Sequence, residues 1–265
     1  MQRLYVIPIF VVALSFYAKP SSGCDLPPNL WCSSKETARN CQVEKQCEAF
    51  VWSVRAKPVQ FALYYESLCP DCQIFFRNQL WPTFQKISSI LNITLVPYGN
   101  AQQEAVGDHW KFTCQHGPNE CLGNVIETCA IHLLKKQETF MPFLACIEMN
   151  TTVLPNESAP DCARQHGIEY DDIRKCSMSG LGNSLEHAMA EMTNKLSPPH
   201  TYVPYVTLSG VHTEKIQDAA MENLLKLVCD TYQGPPPEPC KQKTLTQKCF
   251  RKEYFNNVIL NDPKL

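Results

Sequence analysis

Apolar positions first become dense at "VQFALYYES" (59–67), whose β-branched and aromatic content predicts a buried strand. In "CQIFFRNQLWPTFQKISSIL", Phe75, Phe76, Leu80, Phe84, Ile87 and Leu91 recur at helical spacing, with Pro82 expected to kink or divide the helix. "NITLVPYGNA" (92–101) reads as a second strand, so the first half is a βαβ unit with a parallel pair and a right-handed crossover. Residues 102–197 read as mainly helical and irregular. "SPPHTYVPYVTLSGVHTE" (197–214) then gives a turn, a strand and a Ser-Gly hairpin turn, and "KIQDAAMENLLKLVCDTYQG" (215–234) an amphipathic helix ending at Gly234. A polar, Pro-led tail follows.

The expected order is therefore β-α-β, a helical insertion, then β-β-α, the layout of a thioredoxin-like α/β fold carrying an insertion at about 102–197. "SLCPDCQIFF" (67–76) lies where the first strand turns into its helix. Only a thiolate attacks a disulfide. At this junction, unpaired N–H groups and the helix dipole favour an anion on Cys69. Cys72, one turn into the helix, is placed to close a ring with Cys69 and release a bound substrate. Two other readings fit Cys-x-x-Cys: a structural disulfide, and half of a zinc site, for which "CQHGPNEC" would have to supply the rest. Pro204 favours the redox reading. In "TYVPYVTLSG" it opens the strand expected beside the turn, where thioredoxin folds keep a cis-proline that presents backbone to an extended substrate; Val203-Pro204 is the candidate substrate-binding pair. An ordinary edge-strand proline is the alternative.

Composition adds the compartment. The chain has 265 residues, fifteen of them cysteine, and a net charge of -2, which points to neither nucleic acid nor an anionic membrane. "MQRLYVIPIFVVALSFYAKPSSG" has a basic Arg3, a short apolar stretch and small residues up to Gly23, the pattern of a signal peptide over residues 1–23. No later segment is long enough to span a membrane. The mature chain is thus expected in an oxidising secretory compartment, where disulfides form. Asn92, Asn150 and Asn156 each open a glycosylation sequon.

Four cysteines crowd "CDLPPNLWCSSKETARNCQVEKQCEAFVW": Cys24, Cys32, Cys41 and Cys47. With Trp31 before Cys32, Ala38 three before Cys41 and the closing Val51-Trp52, this block resembles the saposin A-type module, giving a domain at 24–57. "CQHGPNECLGNVIETC" (114–129) reads C-Q-H-G-x-x-E-C-x-x-N-x-x-x-x-C, with Cys114, Gln115, His116, Gly117, Glu120, Cys121, Asn124 and Cys129 at the fixed positions. Together with the Cys-x-x-Cys after a strand, "YVPYVTLSG" and "LVCDTYQG", it resembles the signature of the gamma-interferon-inducible lysosomal thiol reductases. The domain implied is 58–233, leaving 234–265 as a tail and a candidate propeptide.

The resemblance implies a soluble lysosomal glycoprotein that reduces protein disulfides in acid and, in vertebrates, helps unfold endocytosed antigens. Cys69 would be the nucleophile and Cys72 the resolving thiol. The partners implied are disulfide-bonded proteins and an external small-thiol reductant such as cysteine, with no bound cofactor and no metal. The rivals are an oxidase or isomerase using the same centre, and a non-enzymatic disulfide-rich binding protein.

Acid poses a chemical problem. A thiol of pKa about 8.5 is roughly 10⁻³·⁵ thiolate at pH about 5. A lowered pKa restores thiolate at some loss of nucleophilicity. Asp71 opposes the thiolate if its charge is near, and is expected to point to solvent. His116 is a candidate acid/base group or a packed, capping histidine. Setting aside the N-terminal four and the redox pair, nine cysteines remain: Cys114, Cys121, Cys129, Cys146, Cys162, Cys176, Cys229, Cys240 and Cys249. One of the nine must be free or intermolecular, and Cys249 is the candidate for a disulfide-linked homodimer.

Overall fold

The computed structural model describes residues 26–52 and 56–241. The signal segment, Cys24, Cys249 and the tail from 242 onward lie outside the described residues. Among those described, no helix is long and apolar enough to cross a membrane. The chain divides into two units, residues 1–56 with 233–235, and residues 57–232 with 236–265.

In the first unit, α1 (Lys35–Asn40) starts at Ser34, whose Oγ accepts the Thr37 N–H at 3.0 Å, a side-chain cap. A short α2 (Glu44–Gln46) and a π-helical stretch, Cys47–Trp52, follow. Ala38 and Cys47 are its buried centre, too little for an apolar core. Disulfides supply the rest: Cys32 bridges Cys47, and Cys41 is also disulfide-bonded.

The second unit is built on β1 (Val59–Tyr65), the middle strand of a three-stranded sheet. It pairs in parallel with β2 (Leu91–Pro97), Val59 opposite Leu91 and Tyr65 opposite Pro97. The crossover is α3 (Pro70–Phe75), a π-helical stretch at Phe76–Leu80, and α4 (Trp81–Ile87). Pro82, in the first turn of α4, has no N–H to give, and the helix is divided just before it. Phe61, Phe75, Phe76, Leu80, Ile87 and Leu91 are buried together between sheet and helices.

The insertion departs from its helical expectation at once. Gln102–Val106 (β3) and His109–Thr113 (β4) form an antiparallel hairpin around Gly107, at φ +63°. Five helices follow: α5 (Pro118–Leu134), α6 (Gln137–Met149), α7 (Pro155–Gln165), α8 (Tyr170–Ser177) and α9 (Gly180–Asn194). Disulfides staple them at Cys129–Cys176 and Cys146–Cys162, and Cys114–Cys121 closes the entry to α5.

The chain returns through β5 (Tyr205–Leu208), antiparallel to β1 with Tyr205 opposite Tyr64. The second strand expected next is reduced to one bridge, Leu208 with Val211, because the turn at Ser209 and Gly210 leads directly into a helix. That helix, α10 (Glu214–Thr231), stops short of the expected Gly234 and breaks at Asn223. Gln79 stitches the break, accepting the Leu224 N–H and donating to the Glu222 carbonyl, both at 3.1 Å. Cys229–Cys240 ties the short α11 (Glu238–Lys241) back to α10, so residues 236–241 of the expected tail belong to this unit. Four bridges thus use eight of the nine cysteines counted above.

Candidate active site

Cys69 and Cys72 are the free cysteines among the described residues. Cys69 is the N-cap of α3, with Pro70 at the first helical position, where the missing N–H costs nothing. Its sulfur faces the Cys72 thiol and the backbone N–H groups of Cys72 and Asp71. The Cys72 contact is the largest influence, and together these donors outweigh burial and the nearby Glu66 carboxylate, lowering the Cys69 pKa to about 7. Cys72 is fully buried, and burial first, then the facing Cys69, pushes its pKa far up. The two thiols are therefore unequal: one is poised to ionise, the other keeps its proton until the first leaves. Asp71 and Pro70 are exposed, and the main chain of Asp71 faces Cys69 as a donor.

Pro204 precedes Tyr205, which pairs with Tyr64, so it lies level with the end of β1, just before the Cys69–Cys72 turn. The Val203–Pro204 bond is cis. Gln217 Nε2 donates to the Pro204 carbonyl at 2.9 Å, while Val203 is half-buried.

Residues the sequence reading passed over surround the turn. Glu66 and Ser67, between β1 and Cys69, are buried. The Glu66 carbonyl accepts the Cys69 N–H at 3.2 Å, and Asn100 N–H donates to Glu66 Oε1 at 2.6 Å. His116 Nδ1 lies 2.5 Å from Glu120 Oε2 and 3.3 Å from Glu66 Oε2; both carboxylates are fully buried, whereas the imidazole is 32% exposed. One donor atom from each of these three residues falls within 4.8 Å of the others. The 2.5 Å contact is a hydrogen bond between imidazole and carboxylate, shorter than the separation of roughly 3.3 Å between two ligands of one tetrahedral ion.

Beneath the site, Tyr65 O–H donates to Glu127 Oε2. Glu127 and Glu148 are fully buried, and Glu127 Oε1 and both Glu148 oxygens have no other hydrogen-bond partner. Burial raises the Glu127 pKa to about 7, partly offset by Glu148 and Tyr65, and raises Glu148 further through burial and then Glu127. Such a pair holds a shared proton. The clue in the sequence is a glutamate inside an apolar helical run, "FLACIEM".

Of the sequon asparagines, Asn92 is exposed on β2, Asn150 follows α6, and Asn156 lies in the first turn of α7 with Oδ1 buried.

A parallel β1–β2 pair joined by a helix, an antiparallel β5 opened by a cis-proline, and an asymmetric Cys-x-x-Cys at the first strand–helix junction define a thioredoxin-like thiol–disulfide oxidoreductase. Residues 60–166 match the family described as gamma interferon inducible lysosomal thiol reductase, and residues 21–53 match the saposin A-type domain. A gamma-interferon-inducible lysosomal thiol reductase of Carassius auratus is 43% identical over 83% of this chain and 86% of its own, and one of Mus musculus is 39% identical over 69% and 72%. The chain belongs to the gamma-interferon-inducible lysosomal thiol reductase family. Among solved structures, Chlamydia trachomatis DsbA resembles it at 14% identity and a TM-score of 0.43, over 64% of this chain and 89% of that one.

Proposed function

We propose that this protein reduces protein disulfides in the acidic lumen of lysosomes, with Cys69 as nucleophile and Cys72 as resolving thiol. The Cys69 thiolate attacks one sulfur of a substrate disulfide; a Cys69–substrate disulfide forms and the other substrate sulfur leaves as a thiolate, taking up a proton. Cys72 then gives up its proton and attacks Cys69 sulfur. The Cys69–Cys72 disulfide closes and the second substrate thiol leaves, two electrons having passed to the substrate. Two equivalents of an external small thiol, themselves oxidised to a disulfide, restore the dithiol. Val203 offers its main chain to an extended substrate segment, since the Pro204 carbonyl is already taken by Gln217. The placement of the two thiols, Cys69 as the N-cap of α3 and Cys72 fully buried one turn on, is the observation that carries this reading. A Cys69 pKa of about 7 also matches the moderate thiolate of reducing members of the fold, near 7, rather than the value of about 3.5 in a strong oxidant. In the cell the substrates are endocytosed proteins, antigens among them, and the chain reaches lysosomes through the secretory pathway, with a fraction secreted.

The test is reduction of a disulfide-bonded protein at pH about 4.5–5.5 with a small thiol as donor. Wild type turns over, Cys69→Ser does not, and Cys72→Ser accumulates a mixed disulfide through Cys69. Turnover unaffected by Cys69→Ser at every pH rejects the proposal.

A further inference from the structure

Polar residues of the 114–129 signature converge on Glu66–Ser67, the last residues before the redox turn. Asn124 Oδ1 accepts the Ser67 N–H at 3.0 Å, and the Glu120 carbonyl accepts the Ser67 O–H at 3.1 Å. Gln115 Oε1 accepts from Asn100 Nδ2 at 2.8 Å, and Asn100 in turn donates its N–H to Glu66. The signature's Gly123 lets α5 come this close: a Cβ there would stand 2.4 Å from Ser67 Oγ. From Ser67 the grip continues into the turn, where Gln73 Nε2 donates to the Ser67 carbonyl at 3.1 Å.

The side chain of Glu66 is the odd member. Its Oε2 is buried without a hydrogen-bond partner and faces the His116–Glu120 pair. Two buried carboxylates facing one another stay charged only with a positive group between them; otherwise one takes up a proton. Among the described residues no lysine or arginine forms an ion pair with either, and His116 reaches both. Asn100 and Gln115 are neutral. Around the Cys69 sulfur the ionisable groups are Cys72 of α3, Glu66, and Glu148 of α6; the main chain of Asp71 also faces it. Burial raises the Glu66 pKa, while Asn100 and His116 favour its charged form; in that form it works against the thiolate at the site.

We propose that His116 is a positioning residue of the redox centre: it bridges Glu66 and Glu120, holds the Glu66–Ser67 segment beneath Cys69, and offsets the carboxylate charge that opposes the Cys69 thiolate. This inference rests on the proposed role of Cys69 as nucleophile.

The test reads the Cys69 thiolate directly, by the rate of Cys69 alkylation with iodoacetamide against pH in the fully folded, reduced active-site form. Peptide mass mapping assigns the label. Relative to wild type, His116→Gln should lower the rate at pH 5 roughly three- to tenfold. Adding Glu66→Gln to His116→Gln should bring the pH 5 rate back to within about twofold of wild type, because the charge that His116 masks is gone. A structural lesion would not be repaired by a second substitution. An unchanged pH 5 rate in His116→Gln, or no recovery in the double variant, overturns the inference. So does a wild-type pH 5 rate that falls when a chelator is added, which would put a metal ion between the carboxylates. Because alkylation needs no protein substrate, variants that behave as expected in a protein that leaves protein disulfides intact sink the reductase proposal alone.

Discussion

Tyr65, the last residue of β1, donates its phenolic O–H to Glu127 on α5, and so links the strand that ends at the redox turn to a buried acid pair in the insertion. Glu127 and Glu148, with Glu186 of α9, are carboxyls that burial makes hard to ionise.

The sign of the resulting pH dependence is opposite to that of a protein held by ion pairs. A carboxyl whose folded pKa is raised stabilises the fold fully below its unfolded value, and that stability is lost as pH rises through the folded value. For Glu127 the window runs from the ordinary 4.5 to about 7. The single group is worth on the order of 3 kcal/mol across it. Thermal unfolding with all disulfides intact should therefore give a higher Tm at pH 5 than at pH 7.5, and Glu148→Gln should flatten the difference. A Tm that rises toward neutral pH would contradict this.

The Cys69 thiolate should be visible as a titration of its alkylation rate with a midpoint near 7. Removing the largest influence on it, the facing thiol, by Cys72→Ala should move that midpoint up by about one unit or more. A midpoint that stays near 7 in the variant would mean that the helix N–H groups alone set it.

Asp71 is exposed in the first turn of α3, where a negative charge suits the helix end but not a thiolate beside it. Asp71→His should make the Cys69–Cys72 couple more oxidising, by on the order of 10–40 mV. Equilibration with a glutathione buffer measures it; an unchanged or more reducing value would show that the Asp71 carboxylate has no hold on Cys69.

Glycans should attach to Asn92 and Asn150 but not to Asn156. Ser158 of the third sequon is buried and donates to the Pro155 carbonyl, and Asn156 is half-buried with its Oδ1 buried, so this sequon is the least accessible of the three in the folded chain. Loss of a mobility step on electrophoresis is expected for Asn92→Gln and for Asn150→Gln, and none for Asn156→Gln.

What could be read along the chain was what depends on neighbours in sequence. The strand 59–65, the helix behind Cys69 and the division at Pro82 follow from apolar periodicity and one missing N–H. The β3–β4 hairpin was missed because its strands face solvent with polar residues, although Gly107-Asp108 between them is a hairpin signal. Glu66, Glu120 and Glu127 could not be placed, because a glutamate at the edge of an apolar stretch reads as a solvated side chain until another element covers it. His116 was singled out, but its meaning depends on Glu66, which lies fifty residues earlier and meets it only in three dimensions.

The disulfides have a consequence for how the chain is born. Every bridge described upstream of β5 (Cys32–Cys47, Cys114–Cys121, Cys129–Cys176 and Cys146–Cys162) joins cysteines that have both been synthesised before Tyr205. Oxidative folding of the insertion can therefore run to completion while β1 still lacks its antiparallel neighbour. Pro204, level with the end of β1, arrives only afterwards, so a ribosome releases these four staples before the strand proposed to face substrate.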